Sequence, residues 1–250
     1  MGSEITIDEK KLAEFVSRIR EAAGTNLTSV ILFGSAAAGD FHPEYSNLNL
    51  FCLVRDSSFR SLQALAPVAK WWDKQKQPPP LFMTREEVEH SADVFTIELL
   101  DMQQHHRLLF GEDVLKGLSI PLTLHRIQVE YELREKLALL RQHLLLASGN
   151  DKLMWELLLR SVSSFATLFR HALMVVGGES PVGKRESIQK LAQRVGFDPS
   201  AFLQVLEVRE QKLNRRSLDV ADVFSRYLAA LEQVTAAVDK MLDSGSAAPS

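Results

Sequence analysis

Residues 30–54 read VILFGSAAAGDFHPEYSNLNLFCLV, and this stretch decides the fold of the N-terminal part of the chain. Its two apolar runs predict two β-strands, Ser29–Phe33 and Leu48–Val54. Between the runs, Gly34-Ser35 predicts a tight turn that enters a short helix, and a loop then leads to the second strand. The stretch therefore predicts two neighbouring strands with a polar segment between them.

Two asparagines stand where the second strand begins. Because alternate side chains of a strand share a face, Asn47 and Asn49 are expected to point the same way. Leu48 and Leu50 are then expected to turn into the core. The alternative is an ordinary strand–turn–strand in which polar residues mark only the strand entrance.

This order of strand, Gly-Ser, short helix and polar-x-polar strand resembles the signature of the DNA polymerase beta-like nucleotidyltransferase superfamily, of the kanamycin and minimal nucleotidyltransferase type. In that signature the second strand carries Asp-x-Asp, which holds the metal that activates a nucleoside triphosphate. The resemblance covers residues 28–114 and implies nucleotide binding by Gly34, Ser35, Asn47 and Asn49. Both aspartate positions hold asparagine in this chain, either naturally or through engineering.

The two asparagines remove the charge on which metal-dependent transfer depends. Mg²⁺ prefers carboxylate and phosphate oxygens, and an amide carbonyl brings no negative charge. At ~4 Å and an effective dielectric of ~20, each lost unit charge removes roughly 4 kcal/mol of attraction per unit of cation charge. We therefore expect metal-dependent transfer to be weak or absent. Gly34 and Ser35 still allow the close backbone approach and hydroxyl contact that bind phosphate.

The resemblance also implies a third acid on a later strand. The segment Val94–Leu100 is apolar and partly β-branched, which predicts a strand. Glu98 is the first candidate for the metal-facing or general-base position, and Asp101 is the second. Asn47, Asn49 and Glu98 would then form a degenerate metal site. The alternative for Glu98 is an acid on an edge strand that faces solvent.

The chain divides into two regions by its periodicity. Helical and strand patterns alternate over residues 1–120, which predicts an α/β (α+β) nucleotidyltransferase-like domain with a small mixed sheet. No strand pattern follows, and long amphipathic patterns predict an all-α helical bundle over residues 121–243. Residues 244–250 are expected to form a disordered tail.

Composition excludes several classes of protein. The 250 residues are 46% hydrophobic and 24% charged, with a net charge of −3. Residues 1–120 carry 12 Lys and Arg against 17 Asp and Glu, which does not favour a nucleic-acid partner. No apolar run approaches the ~18 residues of a membrane span, and no signal-peptide pattern opens the sequence. We expect a cytoplasmic protein with a buried, inert thiol at its single cysteine, Cys52.

Three hypotheses of function remain open. The first is a catalytically degenerate protein that keeps a nucleotide or phosphate pocket for a binding or regulatory role and needs no cofactor. The second is an active enzyme that uses Mg²⁺, held by the asparagines and Glu98, to move a nucleoside monophosphate from a triphosphate to a small hydroxyl acceptor or a protein. The third is a structural interaction module with an empty cleft. The helical bundle is the candidate surface for a homodimer or a protein partner.

Overall fold

The structure is a computed structural model in which residues 7–178 and 183–241 are described. The chain divides into two compact units, Met1–Leu122 and Thr123–Ser250, called here the first and the second unit. The tail that is expected to be disordered, residues 244–250, lies outside the described residues.

The described strands of the first unit form one four-stranded mixed sheet. They are β1 (Leu27–Phe33), β2 (Asn49–Val54), β3 (Leu81–Met83) and β4 (His106–Gly111). Their order across the sheet is β3-β2-β1-β4. β1 runs antiparallel to β2 and β4, whereas β3 runs parallel to β2. The two strands predicted from residues 30–54 are therefore the paired central strands.

Helices cover both faces of this sheet. They are α1 (Glu9–Ala23), α2 (Phe59–Lys74), α3 (Arg85–His90) and α4 (Thr96–Gln104). α1 and α2 pack on one face, where the rings of Phe15 and Trp72 are fully buried with centroids 4.9 Å apart. α3 and α4 pack on the other face through side chains such as Val88 and Leu99. Burial on both faces explains why the central strands are almost continuously apolar.

One capping signal in the sequence is realised in full at the start of α3. The Glu87 amide donates to Oγ1 of Thr84 at 3.1 Å, and the Thr84 amide donates to Oε2 of Glu87 at 2.6 Å. Each bond satisfies a backbone group that the first helical turn leaves open. The bond from the Thr84 amide holds the pKa of the Glu87 carboxyl below its usual value.

The predicted strand Val94–Leu100 is wrong. Most of this segment lies in α4, and the following segment, which has no clear alternation, forms β4 beside β1. Thr96, Leu99 and Met102 are buried at a spacing of three, which is the spacing of one helix face. Because a short apolar run fits either a strand or a buried helix, packing on the sheet decided between them.

The described residues of the second unit form helices joined by turns and loops. Its α-helices are α5 (His125–Ala147), α6 (Asp151–Val175), α7 (Lys184–Val195), α8 (Ser200–Arg209) and α9 (Val220–Lys240). Together with the mixed sheet of the first unit, this confirms the predicted fold class.

Aromatic side chains form the centre of the second unit. Phe202 and Tyr227 stack with centroids 3.9 Å apart, and Phe165 and Phe169 pack edgewise or tilted against them. The Tyr227 hydroxyl lies 3.1 Å from Oγ of Ser161, so the one polar atom of this ring is hydrogen-bonded. Burial raises the pKa of Tyr227.

Two predictions from the sequence, the absence of a membrane span and an inert cysteine, can be compared with the structure. Every helix among the described residues is too short or too polar to cross a bilayer. Cys52 is buried in β2, and burial raises the pKa of its thiol. A thiol that stays protonated is a poor nucleophile, so the expectation of an inert cysteine is supported.

Gly111→Ala is expected to destabilise the first unit strongly. Gly111 ends β4 at φ +80°, and a Cβ there would lie 1.9 Å from the carbonyl oxygen of Thr28. Strain and overpacking together are expected to reduce the free energy of unfolding by about 3 kcal/mol or more, measured by urea denaturation.

Gly117→Ala is the matched control for this substitution. Gly117 has φ +85° but nothing lies within 4 Å of its would-be Cβ. Gly117→Ala should therefore reduce the free energy of unfolding only by the left-handed backbone penalty of about 1–2 kcal/mol. Similar losses in the two variants would contradict the close approach of Gly111 to Thr28.

Candidate functional site

The Gly34-Ser35 segment forms a single tight turn at the end of β1. Gly34 adopts φ +75°, and Gly34–Ala36 is one turn of 3₁₀-helix. The amides of Ala37 and Ala38 both donate to the Gly34 carbonyl at 3.0 Å. The helix predicted here is therefore three residues long, and it lacks the aligned peptide dipoles of a full α-helix.

Asn49 is the first residue of β2 and pairs with Phe33 of β1. Its side chain is half-buried and that of Asn47 is exposed, whereas Leu48 and Leu50 are each only 2% exposed. This alternation is the one expected of an extended chain, with both asparagines on the side away from the two leucines.

The turn and the side chain of the second asparagine lie next to each other. A Cβ built at Gly34 would lie 2.9 Å from Nδ2 of Asn49. The β1–β2 register produces this contact, because Gly34 follows the residue that pairs with Asn49. The two strongest elements of the predicted site, the glycine turn and the polar pair, are thus brought together.

A third side-chain amide, that of Gln77, lies beside the two asparagines and was not predicted from the sequence. Oε1 of Gln77 accepts a hydrogen bond from the Leu48 amide at 2.7 Å, between the two asparagines in the chain. Gln77 is 29 residues away in sequence, in the connection from α2 to β3. No local pattern marks such a contact, and only the three prolines that follow indicate that the segment is rigid.

The predicted third acid does not lie on a strand. Glu98 belongs to the first turn of α4 and is exposed, and Asp101 lies one turn later and is half-buried. The strand beside β2 is β3, in which Leu81 pairs with Phe51. The paired residues of β3 are Leu81, Phe82 and Met83, none of which is acidic, and the pairing does not reach the level of Asn49. A catalytic role of Glu98 or Asp101 stays a prediction. The strand position on which that prediction was based is wrong, because both residues lie in α4.

The Mg²⁺ that the resemblance implies does not fit these residues. The side chains of Asn47 and Asn49 are carboxamides, whose oxygens carry no formal charge, and a divalent cation needs charge to replace its tightly held water. Among residues 7–178 and 183–241, no group of three or more His, Cys, Asp or Glu could hold a metal ion. Carboxamides can, however, donate two hydrogen bonds and accept others, so they can bind phosphate oxygens directly.

A histidine on β4 lies on the same row of the sheet. His106 pairs with Phe33, on the opposite side of β1 from Asn49, and its Nε2 lies 3.0 Å from both carboxylate oxygens of Asp113. Desolvation raises the pKa of Asp113, but the hydrogen bonds and charge of His106, together with the backbone amides of Lys116 and Leu115, outweigh it and lower the pKa overall. His106 lies in a strand and is half-buried.

A separate groove of about 1000 Å³ opens at the opposite end of β2. It is bounded by Arg55–Ser57, by β3 and α3, and by the partly exposed side chains of Val94 and Phe95. Because β2 runs from Asn49 to Val54, this groove is separate from the asparagine pair.

Gly34→Ala is expected to cost more stability than Gly39→Ala. Both glycines have nearly equal φ angles, +75° and +76°, so both variants meet the same backbone penalty. Only at Gly34 would the methyl group contact Asn49, since nothing lies within 4 Å at Gly39. Because the end of the Asn49 side chain can shift, we expect an additional loss of at most about 1 kcal/mol at Gly34 in urea denaturation.

The same comparison of Gly34→Ala with Gly39→Ala, made in an Asn49→Ala background, identifies the cause of that additional loss of stability. Removing the amide should make the two glycine substitutions equally costly. An additional loss that persists without Asn49 would show that the amide does not pack over Gly34.

Known proteins share this fold. A family model described as a nucleotidyltransferase domain matches residues 9–100. A crystal structure of the spectinomycin adenyltransferase AAD(9) from Enterococcus faecialis, with ATP and spectinomycin, superposes with a TM-score of 0.57 at 15% sequence identity. The match covers 92% of this chain and 99% of that one. No curated protein matches the sequence.

The family model spans α1, the three adjacent strands β1 to β3 and the first half of α4, which includes the glycine turn and both asparagines. The structural match extends the similarity of fold over nearly the whole chain. Together these matches support the nucleotidyltransferase superfamily for the first unit.

Proposed function

We propose that the chain binds a nucleotide through its phosphates at the Gly34-Ser35 turn, flanked by Asn47 and Asn49, without depending on a divalent metal. The role we propose is binding or regulation rather than metal-dependent transfer. The observation that carries this proposal is the contact of Gly34 with the amide of Asn49, which joins a phosphate-binding turn to a neutral donor.

The donor chemistry supports an anionic ligand that brings no metal. An amide NH₂ donates to phosphate oxygens, and the positive φ of Gly34 lets a ligand approach the backbone closely. The similar spectinomycin adenyltransferase was crystallised with ATP, which makes ATP the first nucleotide to test. Carboxylates at positions 47 and 49 would repel the same phosphates unless a cation stood between them.

The proposal predicts that ATP stabilises the protein in EDTA as well as in magnesium. A ligand that binds only the native state stabilises it by about 2.7 kcal/mol at one hundred times its Kd. Thermal melting with each nucleoside triphosphate, in magnesium and in EDTA, measures this effect. A shift that requires magnesium would favour an active transferase, and no shift with any nucleotide would favour an interaction module.

The double variant Asn47→Asp with Asn49→Asp is expected to change ATP binding from metal-independent to magnesium-dependent. Two carboxylates repel phosphate, so ATP should no longer raise the melting temperature in EDTA. They also restore charge for a hard cation, so magnesium should recover the shift.

Asn150→Asp with Asn214→Asp is the matched control for charge. Both asparagines cap helices of the second unit through their side chains, and aspartate caps a helix equally well. This control changes the net charge by the same two units and should keep the response of the native protein. A double variant at positions 47 and 49 that also keeps the native response in EDTA would contradict the site.

A further inference from the structure

The connection between α2 and β3 places the side chain of Gln77 beside the asparagine pair. Oε1 of Gln77 accepts the Leu48 amide at 2.7 Å in a partly buried contact. Leu48 stands between Asn47 and Asn49, so this bond acts on the backbone that carries both amides.

The bond lies just where strand pairing ends. The β1–β2 ladder reaches Phe33 and Asn49, and the β2–β3 ladder reaches only Phe51 and Leu81. The Leu48 amide precedes both ladders, and a buried backbone donor needs a partner. Gln77 supplies it, and thereby continues the hydrogen bonding of the sheet by one residue toward the ligand site.

The local backbone is built to hold Gln77 in this position. α2 ends at Lys74, and Lys76 then adopts φ +59°, a left-handed conformation that a lysine rarely takes. Nε2 of Gln77 donates to the Gln75 carbonyl at 3.4 Å, which sets the orientation of its amide. Three prolines, residues 78–80, follow and restrict the chain on the other side. Strained residues of this kind persist only where the surroundings determine them.

We propose that Gln77 is a positioning residue for phosphate binding, which acts through the Leu48 amide to fix Asn47 and Asn49. This inference rests on the proposed nucleotide site. It gives that site a third polar element, drawn from the turn before β3 instead of the Glu98 position in α4.

The test compares Gln77→Met with Gln103→Met. Gln103 also makes two amide contacts within the first unit, to the carbonyls of Leu115 and Leu118 at 3.0 and 2.9 Å, but it lies in α4. Both variants should lower the melting temperature. Only Gln77→Met should weaken the Kd for ATP in EDTA, by about tenfold, which corresponds to one lost hydrogen bond.

Hydrogen exchange of the Leu48 amide provides a readout that a general loss of stability does not reproduce. Exchange should accelerate in Gln77→Met beyond the acceleration seen in Gln103→Met. Gln77→Glu keeps an acceptor oxygen at the same reach. In 0.5 M salt, where added charge is screened, it should restore slow exchange and bind ATP more tightly than Gln77→Met.

The outcomes separate this inference from the proposed function. Absence of ATP binding to the unmodified protein would overturn both. ATP binding that Gln77→Met retains unchanged, or that Gln77→Glu fails to improve over Gln77→Met, would overturn the role of Gln77 and leave the nucleotide site standing. If Gln77→Met does not fold, the comparison of Gln77→Glu with the unmodified protein decides, and loss of Leu48 protection in that variant would contradict the bond.

Discussion

The antiparallel pairing of β1 with β2 is the constraint on which the first unit and its site depend. Both strands are buried on both faces, between α1 and α2 on one side and α3 and α4 on the other. A slip of one residue would exchange Leu48 and Leu50 with Asn47 and Asn49, so burial permits a single register. That register sets Gly34 against Asn49, and the candidate site is a direct consequence of how the core packs.

The candidate site combines a tight glycine turn with two carboxamides, Asn47 and Asn49. The paired residues of the neighbouring β3 are Leu81, Phe82 and Met83, none of which is acidic. Neutral amides can donate to an anion but compete poorly with water for Mg²⁺. A shared fold does not carry its chemistry with it, because the chemistry resides in the few side chains placed on the fold. Neutral amides at positions 47 and 49 are therefore compatible with an intact fold.

β1 and β2 were predicted correctly from the sequence, whereas the predicted strand Val94–Leu100 is wrong. The comparison shows which sequence patterns are ambiguous. Residues 30–54 combine long apolar runs with a glycine turn, and each signal supports the same arrangement. Val94–Leu100 is short and apolar in a way that suits either structure, and packing of Leu99 against the sheet made it part of a helix. β4 carries Arg107 and half-exposed side chains because it is an edge strand, so its sequence has little periodicity. Arg107 is bound by both carboxylate oxygens of Glu9, a partner 98 residues away that no local pattern reveals.

The sequence by itself determined the mixed sheet with its helical second unit, the glycine turn, and the pair of amides at positions 47 and 49. These features are local, since periodicity and residue type express them within a few residues. Only the tertiary structure decided that Glu98 stands on a helix, that His106 lies on a strand across β1 from Asn49, and that Gln77 holds the Leu48 amide. Each of these depends on how segments far apart in sequence pack together, which no short window of sequence records.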